Sequence, residues 1–263
     1  MKSFSEARRI VVKVGTSTLT YETGRMNIRR IEQLCKVLAD LKNSGREIML
    51  VSSGAIAVGV GKLRLPSRPC DTPTKQAAAA VGQCELMAMY DHCFGAYSHV
   101  AAQVLLTHED VAHEGRRIHI VNTISRLLAL DTIPVFNEND TVAVEEIAIG
   151  DNDTLSAVVA EMAGADALVL MSDIDGLYTA DPRSDPGAML LDVVTALTPE
   201  VMALGGAAGS ERGTGGMVTK LRAAEICRKA GIPMAIVNGE NPDLLYALCD
   251  GAKVGTRFIW EDL

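Results

Sequence analysis

Residues 167–171 (ALVLM) form an unbroken apolar run, as expected for a strand that is covered on both faces. Such strands are typical of parallel sheets, because crossover helices pack on either side of them. Residues 10–14 (IVVKV) and 47–51 (EIMLV) repeat the pattern with a single charged residue each. The same reasoning predicts further strands at residues 99–106, 133–136 and 233–237.

Helical stretches separate these strands. Asn27 can cap a helix that runs to about Ser44 and stops at Gly45. Regular alternation of strands and helices implies right-handed crossovers between parallel strands. We therefore predict an α/β fold, a three-layer αβα sandwich with a central, mostly parallel sheet. Further helices are predicted from residue 55 onwards and at residues 74–94, 115–130, 151–163 and 216–230.

Two segments depart from this alternation. Residues 141–150 (TVAVEEIAIG) resemble a polar β excursion and are the expected exception to the parallel sheet. Residues 198–213 are rich in Gly and Ala and have weak periodicity. We predict that this second segment is a mobile loop over the site rather than a linker between domains.

Composition narrows the class of protein. The chain has 263 residues, 48% of them hydrophobic, which is enough for one large α/β domain or two fused lobes. Its net charge of -8 argues against nucleic-acid binding as the main task, since affinity for a phosphate backbone needs clustered Lys and Arg. A negative net charge still permits an anionic substrate, because a binding site needs only a few local cations.

The six cysteines and the N-terminus indicate a cytoplasmic protein. No C-x-x-C pair is present, and most of the cysteines lie in apolar stretches that look helical. We therefore expect reduced thiols rather than disulfides or zinc ligands. The N-terminus has no signal-peptide apolar segment, and no apolar run approaches the ~18 residues of a membrane span.

Polar turns follow four of the predicted strands, at residues 13–17, 52–54, 137–140 and 172–176. In open α/β sheets ligands bind at the carboxyl ends of the strands. Because these ends meet at one edge of a parallel sheet, we expect the four turns to form a single site.

Two stretches, residues 13–17 (KVGTS) and 214–220 (TGGMVTK), each combine glycine, hydroxyl groups and one lysine. This mixture suits a backbone that closes on phosphate oxygens, although neither stretch fits the Walker pattern. Lys13 lies in an apolar strand, where it either neutralises a transferring phosphoryl group or snorkels to the surface. Lys220 lies at the start of a predicted helix, which indicates a nearby anion.

Acidic, amide and hydroxyl residues supply the other side of the predicted site. Ser53 and Gly54 form a strand-to-helix turn that can bind a carboxylate or phosphate, or can be a plain turn with a serine cap. Asp140 ends a polar run, FNEND, and suits an ammonium partner. Among residues 151–153 (DND) a helix cap explains one residue, and a further carboxylate could orient both lysines or organise magnesium.

The turn at residues 172–178 (SDIDGLY) lacks the rest of a calcium-binding loop. A nucleotide-contacting turn or a β-hairpin is the better interpretation. The following Asp181-Pro182-Arg183 is either a turn that presents one arginine or a solvated loop.

Six motifs recur in this order in the glutamate 5-kinase family of the amino acid kinase superfamily, which the chain resembles from residue 10 to about residue 258. They are VVKVGTSTL at 11–19, VSSGAIAVG at 51–59, FNENDTVA at 136–143, GDNDTLSA at 150–157, SDIDGLYTADPRS at 172–184 and GTGGMVTK at 213–220.

The resemblance implies ATP-dependent phosphorylation of the γ-carboxylate of L-glutamate, the first step of proline biosynthesis. It implies that Lys13 and Lys220 stabilise the phosphoryl group and that Asp153 holds them. It places glutamate on four residues, Ser53, Gly54, Asp140 and Asn152. It places ATP on Lys13, Ser172, Asp173, Thr214, Gly215, Gly216, Met217, Val218, Thr219 and Lys220.

The resemblance also implies cofactors, partners and boundaries. Mg²⁺ is expected mainly on the nucleotide phosphates, with no protein ligand assigned. One amino acid kinase domain is expected over residues 1–263, with a glutamate lobe to about residue 165, an ATP lobe from about residue 166, and no PUA domain. A homodimer or homotetramer and feedback inhibition by proline are expected. The alternatives are an acetylglutamate or uridylate kinase, or a non-catalytic ligand-sensing protein of the same fold.

Overall fold

The computed structural model describes residues 3–143, 151–207 and 216–260. Eight strands in this part of the chain form one sheet, in the order β3-β4-β2-β1-β5-β7-β8-β6. The strands are β1 (Arg9–Val14), β2 (Glu47–Ser52), β3 (Ala101–Leu106), β4 (Ile133–Glu138), β5 (Ala167–Ser172), β6 (Val193–Val194), β7 (Met234–Asn238) and β8 (Thr256–Phe258).

Helices connect these strands and cover both faces of the sheet. They are α1 (Thr16–Leu19), α2 (Ile28–Asn43), α3 (Ala55–Leu63), α4 (Thr72–Gly95), α5 (His108–Ala112), α6 (Glu114–Ala129), α7 (Asn152–Ala163), α8 (Pro199–Ala203), α9 (Met217–Lys229) and α10 (Leu244–Cys249). In the described ranges, no helix combines the length and the apolar character that crossing a bilayer would need.

The prediction of a mostly parallel sheet is confirmed. All neighbouring strands pair in parallel except β7 and β8, which are antiparallel. The antiparallel exception therefore lies near the chain's end, where β6 and β8 were too short for the sequence pattern to reveal. Of the predicted β excursion, residues 141 and 142 lie in a turn, and residues 144–150 lie outside the described residues.

Alternate residues of β1 enter two separate cores, which confirms the three-layer arrangement. Val12 and Val14 pack in the core that contains buried residues of α2, α3 and α4. Val11 packs in the other core, with buried residues of α7 and α9. Because side chains of a strand alternate between its faces, Lys13 shares the face of Val11 and points towards α7 and α9.

The cap predicted for α2 is confirmed. The Asn27 side chain accepts a 3.3 Å hydrogen bond from the Arg30 N–H, which satisfies one free donor of the first turn. The helix ends at its C-cap residue, Ser44. Gly45 follows with φ of 93°, a left-handed conformation that favours glycine.

The predicted loop at residues 198–213 is wrong in its first half. The Thr198 side chain accepts a hydrogen bond from the Val201 N–H and starts α8, with Pro199 at its first position. A 3₁₀-helix, Leu204–Ala207, continues from it. The Gly and Ala residues of this 3₁₀-helix weakened the helical periodicity of the sequence, because such small side chains give almost no alternation of apolar and polar residues. Residues 208–213 lie outside the described residues.

Helices α3 and α4 touch through their backbones. A Cβ atom on Gly59 would lie 1.8 Å from the Ala78 carbonyl oxygen, and one on Gly82 would lie 1.8 Å from the Ala55 carbonyl oxygen. Only glycine permits so close an approach. Ala55 is the first residue of α3, so this contact fixes α4 beside the turn that follows β2.

Candidate active site

The turns after β1, β2, β4 and β5 meet at one edge of the sheet. Strand β1 lies between β2 and β5, and Lys13 is opposite Val51 on one side and Leu170 on the other. Strand β4 pairs with β2 on the outer side. The parallel register therefore brings together the turns that the sequence singled out.

Asp153 lies between the two predicted lysines. Its Oδ1 is 2.6 Å from Lys13 Nζ, and its Oδ2 is 3.0 Å from Lys220 Nζ. The Thr219 hydroxyl donates a 2.9 Å hydrogen bond to the same Oδ2. All four side chains are buried, and Asp153 is 0% exposed. We call Lys13, Asp153 and Lys220 the lysine–aspartate cluster.

The lysine–aspartate cluster is ionised and carries a net positive charge. Burial opposes ionisation of Asp153, but the ammonium groups of Lys13 and Lys220 outweigh it and hold the pKa of Asp153 well below its usual range. One carboxylate and two ammonium groups leave one positive charge in excess. A phosphate oxygen is a suitable counter-ion for that charge.

Helix α9 begins beside this cluster. Its N-cap residue, Gly216, makes no side-chain cap, so the first turn offers backbone N–H groups. Met217 is buried and anchors this turn in the core, whereas Val218 is exposed. Thr214 and Gly215, which were predicted to contact the nucleotide, lie outside the described residues.

Asn152 joins the ends of β2 and β4. Its Nδ2 lies 2.8 Å from the Ser52 carbonyl oxygen, 3.0 Å from Ser53 Oγ and 2.8 Å from Asn137 Oδ1. Asn137 in turn donates a 2.9 Å hydrogen bond to Gln83 Oε1. The structure thus brings into contact Ser53 and Asn152, two of the residues that the resemblance assigns to glutamate. Sequence reasoning missed Gln83, whose signal is a polar residue after an alanine-rich stretch of α4.

Asp151 is the N-cap residue of α7. Its Oδ1 accepts hydrogen bonds from the N–H groups of Asp153 at 2.6 Å and Thr154 at 2.9 Å. Burial and then the neighbouring Asp153 carboxylate raise the pKa of Asp151. The cap interpretation therefore applies to Asp151, while Asn152 and Asp153 are available for other contacts.

Asp140 lies two residues beyond the end of β4 and is partly buried. Burial, and then the nearby Glu138 carboxylate, raise the pKa of Asp140 to about 6. None of the ion pairs formed among residues 3–143, 151–207 and 216–260 involves Asp140. A ligand with an ammonium group would supply the missing positive charge.

Gly54 brings the turns after β1 and β2 together. Its φ of 94° is left-handed, and a Cβ atom there would lie 3.6 Å from Thr16 Cγ2. On the other side of this contact, a Cβ atom on Gly15 would lie 3.9 Å from Lys13 Nζ. Because neither glycine has a side chain, a ligand can approach the backbone closely here.

The turn after β5 carries the residues predicted for the nucleotide. Ser172 donates a 3.1 Å hydrogen bond to Asp173 Oδ1, and Arg183 donates a 3.0 Å hydrogen bond to Asp173 Oδ2. The turn Asp181-Pro182-Arg183 therefore folds back, so that its arginine contacts the residue that follows β5. Asn238, at the end of β7, similarly donates a 2.8 Å hydrogen bond to Asp175.

Comparison with known proteins agrees with this geometry. Residues 8–238 match the amino acid kinase family. A glutamate 5-kinase of Clostridium perfringens is 51% identical over 98% of this chain and 97% of its own length. A glutamate 5-kinase of Listeria welshimeri is 49% identical over 98% of this chain and 95% of its own length. A glutamate 5-kinase of Moorella thermoacetica is 49% identical over 98% of this chain and 68% of its own length.

Solved structures share the fold at low sequence identity. An isopentenyl phosphate kinase aligns with a TM-score of 0.67 and 19% identity over 95% of this chain and 99% of that one. The UMP kinase of Bacillus anthracis aligns with a TM-score of 0.65 and 16% identity over 97% of both chains. Given the fold, the clustered motifs and these relatives, the chain belongs to the amino acid kinase family and groups there with the glutamate 5-kinases.

Proposed function

We propose that this chain transfers the γ-phosphoryl group of ATP to the γ-carboxylate of L-glutamate. The product is γ-glutamyl phosphate, and the reaction opens proline biosynthesis. The observation that carries the proposal is the buried Asp153, which holds Lys13 and Lys220 at 2.6 and 3.0 Å beside two separate sets of polar groups. Relatives named glutamate 5-kinase, about half identical over nearly the whole chain, support the same reaction.

The acceptor side of the site suits a free amino acid. Ser53 and the N–H groups that follow it are suited to a carboxylate, and Asn152 is tied to Ser53 at 3.0 Å. Asp140 is suited to the α-ammonium group, because it forms no ion pair within the described part of the chain. A positive charge beside it would offset the cost of burying its ionised carboxylate.

Catalysis needs positioning and charge stabilisation rather than a general base. The γ-carboxylate of glutamate, with an ordinary pKa of about 4.3, is already ionised near neutral pH and can attack directly. Lys13 and Lys220 spread the negative charge of the transferring phosphoryl group, while Asp153 keeps both ammonium groups in place beforehand.

The nucleotide side is proposed to comprise Ser172, Asp173 and the first turn of α9. Backbone N–H groups at the start of this helix, which no side chain of the N-cap residue satisfies, are suited to phosphate oxygens. Thr219 contributes through Asp153, because its hydroxyl is directed at that carboxylate.

Mg²⁺ is proposed to arrive with the nucleotide, where it neutralises phosphate charge. The carboxylates near the cluster fit this arrangement, since Asp153 is engaged by two lysines and Asp173 by Arg183. Within the described ranges, no group of three or more His, Cys, Asp or Glu side chains is arranged to hold a metal ion.

A related kinase with another acceptor, such as acetylglutamate or UMP, is the nearest alternative. Asp140 favours glutamate, because N-acetylation removes the ammonium group and UMP has none. A non-catalytic sensor is disfavoured, since the complete lysine–aspartate cluster would have no purpose there. Beyond the reaction itself, we propose a cytoplasmic homodimer or homotetramer that proline inhibits, with a glutamate lobe to about residue 165 and an ATP lobe beyond it.

The direct test is the hydroxamate assay. The protein is incubated with ATP, Mg²⁺, L-glutamate and hydroxylamine, which traps the acyl phosphate as γ-glutamyl hydroxamate. We expect hydroxamate only when glutamate and ATP are both present. ADP release is measured in parallel, because UMP gives no acyl phosphate that hydroxylamine could trap. Turnover of N-acetylglutamate or UMP without turnover of glutamate would refute the proposed function, and absence of turnover with every acceptor would favour the sensor.

A further inference from the structure

A chain of buried amides leads from α4 to the acceptor side of the site. Gln83 Oε1 accepts from Asn137 Nδ2 at 2.9 Å, and Asn137 Oδ1 accepts from Asn152 Nδ2 at 2.8 Å. Gln83 is 9% exposed and Asn137 is 2% exposed. A buried amide that loses a partner has no water to replace it, so the members of this chain depend on one another.

Backbone partners show which way the Asn137 and Asn152 amides are turned. Asn137 Oδ1 also accepts a 2.9 Å hydrogen bond from the Glu138 N–H, which can only donate. The oxygen of Asn137 therefore faces Glu138 and Asn152, and its NH₂ group faces Gln83. Asn152 Nδ2 is likewise identified by the Ser52 carbonyl oxygen, which can only accept, and Nδ2 shares its N–H groups between this oxygen and Asn137 Oδ1.

This orientation decides what the site offers to a ligand. The two N–H groups of the Asn152 amide are shared among three acceptors of the protein, so its carbonyl oxygen is the atom available for a donor such as an ammonium group. Ser53 Oγ accepts from Asn152, which leaves the Ser53 hydroxyl hydrogen for an acceptor such as a carboxylate. If the Asn152 amide were flipped, it would present its NH₂ group to the ligand, and the Ser53 hydroxyl would donate to Asn152 instead.

The packing of α4 against α3 sets the position of Gln83 relative to Asn137. The preceding residue, Gly82, lies against the Ala55 carbonyl oxygen, where a Cβ atom would be only 1.8 Å away. Helix α4 is thereby fixed to the start of α3, next to Ser53 and Gly54. Gln83 consequently reaches Asn137 from a part of α4 whose backbone packs directly against the start of α3.

We propose that Gln83 is a positioning residue for the acceptor: through Asn137 it keeps the Asn152 amide turned so that Asn152 offers its carbonyl oxygen, and Ser53 its hydroxyl hydrogen, to the amino acid. This role rests on the proposed glutamate kinase function and adds to it a residue that does not touch the substrate.

The test compares Gln83→Met with Gln83→Glu in the hydroxamate assay. Met has a similar length and no acceptor, so the buried NH₂ group of Asn137 loses its acceptor and the Asn137 side chain is no longer held from α4; the KM for glutamate should rise about tenfold. Glu retains an oxygen in the same place, and its KM should stay within about threefold of the wild type. The KM for ATP should change by less than about twofold in both variants, because the amide chain ends on the acceptor side.

Tyr90→Phe is the matched control. It removes another buried hydrogen bond between α4 and the end of β2, the 2.7 Å contact of the Tyr90 hydroxyl with Ser52 Oγ. Thermal stability should fall, while the KM for glutamate should stay within about twofold of the wild type. If Gln83→Met does not fold, Gln83→Asn, whose amide is withdrawn by one methylene group, replaces it with the same expectation.

The outcomes separate the two proposals. A wild-type protein that does not phosphorylate glutamate refutes the proposed function. An active wild type overturns the role of Gln83 alone if Gln83→Met leaves the KM for glutamate unchanged or raises both KM values equally. The role is also overturned if Gln83→Glu is as impaired as Gln83→Met, or if Tyr90→Phe shows the same selective rise.

Discussion

Replacing Asp153 by Asn tests whether the site is built around this carboxylate. The substitution keeps the shape of the side chain and removes the charge between two ammonium groups at 2.6 and 3.0 Å. Lys13 and Lys220 stay buried, so two positive charges are left without their partner. Breaking a buried ion pair in this way costs about 3–5 kcal/mol of unfolding free energy.

The pH dependence of the loss follows from the direction of the pKa shift. The pKa of Asp153 is lowered by folding, so its stabilisation is fully present above the unfolded-state pKa of about 3.9. It is lost as the pH falls towards the lower folded-state pKa. The difference in unfolding free energy between wild type and Asp153→Asn should therefore be constant from about pH 5 to pH 7 and shrink below about pH 4.

The assay is thermal and urea unfolding combined with hydroxamate kinetics. At about 2–4 °C per kcal/mol for a chain of this size, the Tm at pH 7 should fall by about 6–20 °C. The kcat should fall at least about a hundredfold, because the two lysines lose their fixed positions. Asp151→Asn is the matched control for stability, since Asn caps helices as well as Asp does and the change should be within about 1 kcal/mol.

A second substitution distinguishes charge from packing. Lys220→Met in the Asp153→Asn background removes one of the two unpaired charges, so it should restore at least about half of the lost stability while activity stays low. A loss below about 1 kcal/mol for Asp153→Asn, or additive destabilisation in the double variant, would refute the reasoning.

Three further expectations follow from the same geometry. Lys220→Ala should raise the barrier by about 3–4 kcal/mol in kcat, as measured at saturating substrates, and an unchanged kcat would remove it from the mechanism. Because the pKa of Asp140 is raised to about 6, the KM for glutamate should rise as the pH falls through about 6. An Asp140→Asn variant whose KM shows the same rise would contradict this assignment. Gly82→Ala should lose about 1–3 kcal/mol in urea unfolding, because its Cβ atom would lie 1.8 Å from a backbone oxygen. Gly95→Ala, on the same helix with nothing within 4 Å of a Cβ atom, should not be destabilised, and equal losses would exclude a steric cause.

Much of this architecture could be predicted from local pattern. Apolar runs such as residues 167–171 reveal central strands, because burial on both faces leaves no room for polar residues. The carboxyl-end rule then places Lys13, Ser53 and Asp140 at one edge of the sheet. The two-residue β6 and the three-residue β8 were not predicted, since so short a strand has no measurable period.

Contacts between side chains that are far apart in the sequence could not be predicted from such local patterns. The place of Asp153 between two lysines came from the resemblance to a family, because spacing alone also allowed a magnesium ligand. Gln83 was missed, since a single polar residue on a buried helix face is identified only by its partner. Likewise, the sequence indicated a nucleotide contact for Thr219, whereas its hydroxyl is bonded to Asp153, a pairing that only the packing of α7 against α9 creates.

The position of β1 at the centre of the sheet has a consequence for biosynthesis. Strand β1 is made more than 150 residues before β5, one of its two neighbours in the sheet, and Lys220 follows later still. Such long-range closure is slow and entropically costly. A nascent chain that stops before α9 contains Lys13 and Asp153 but lacks the second cation. Kinase activity should therefore emerge only after α9 has been synthesised, so nascent chains that stop before this helix would not consume ATP.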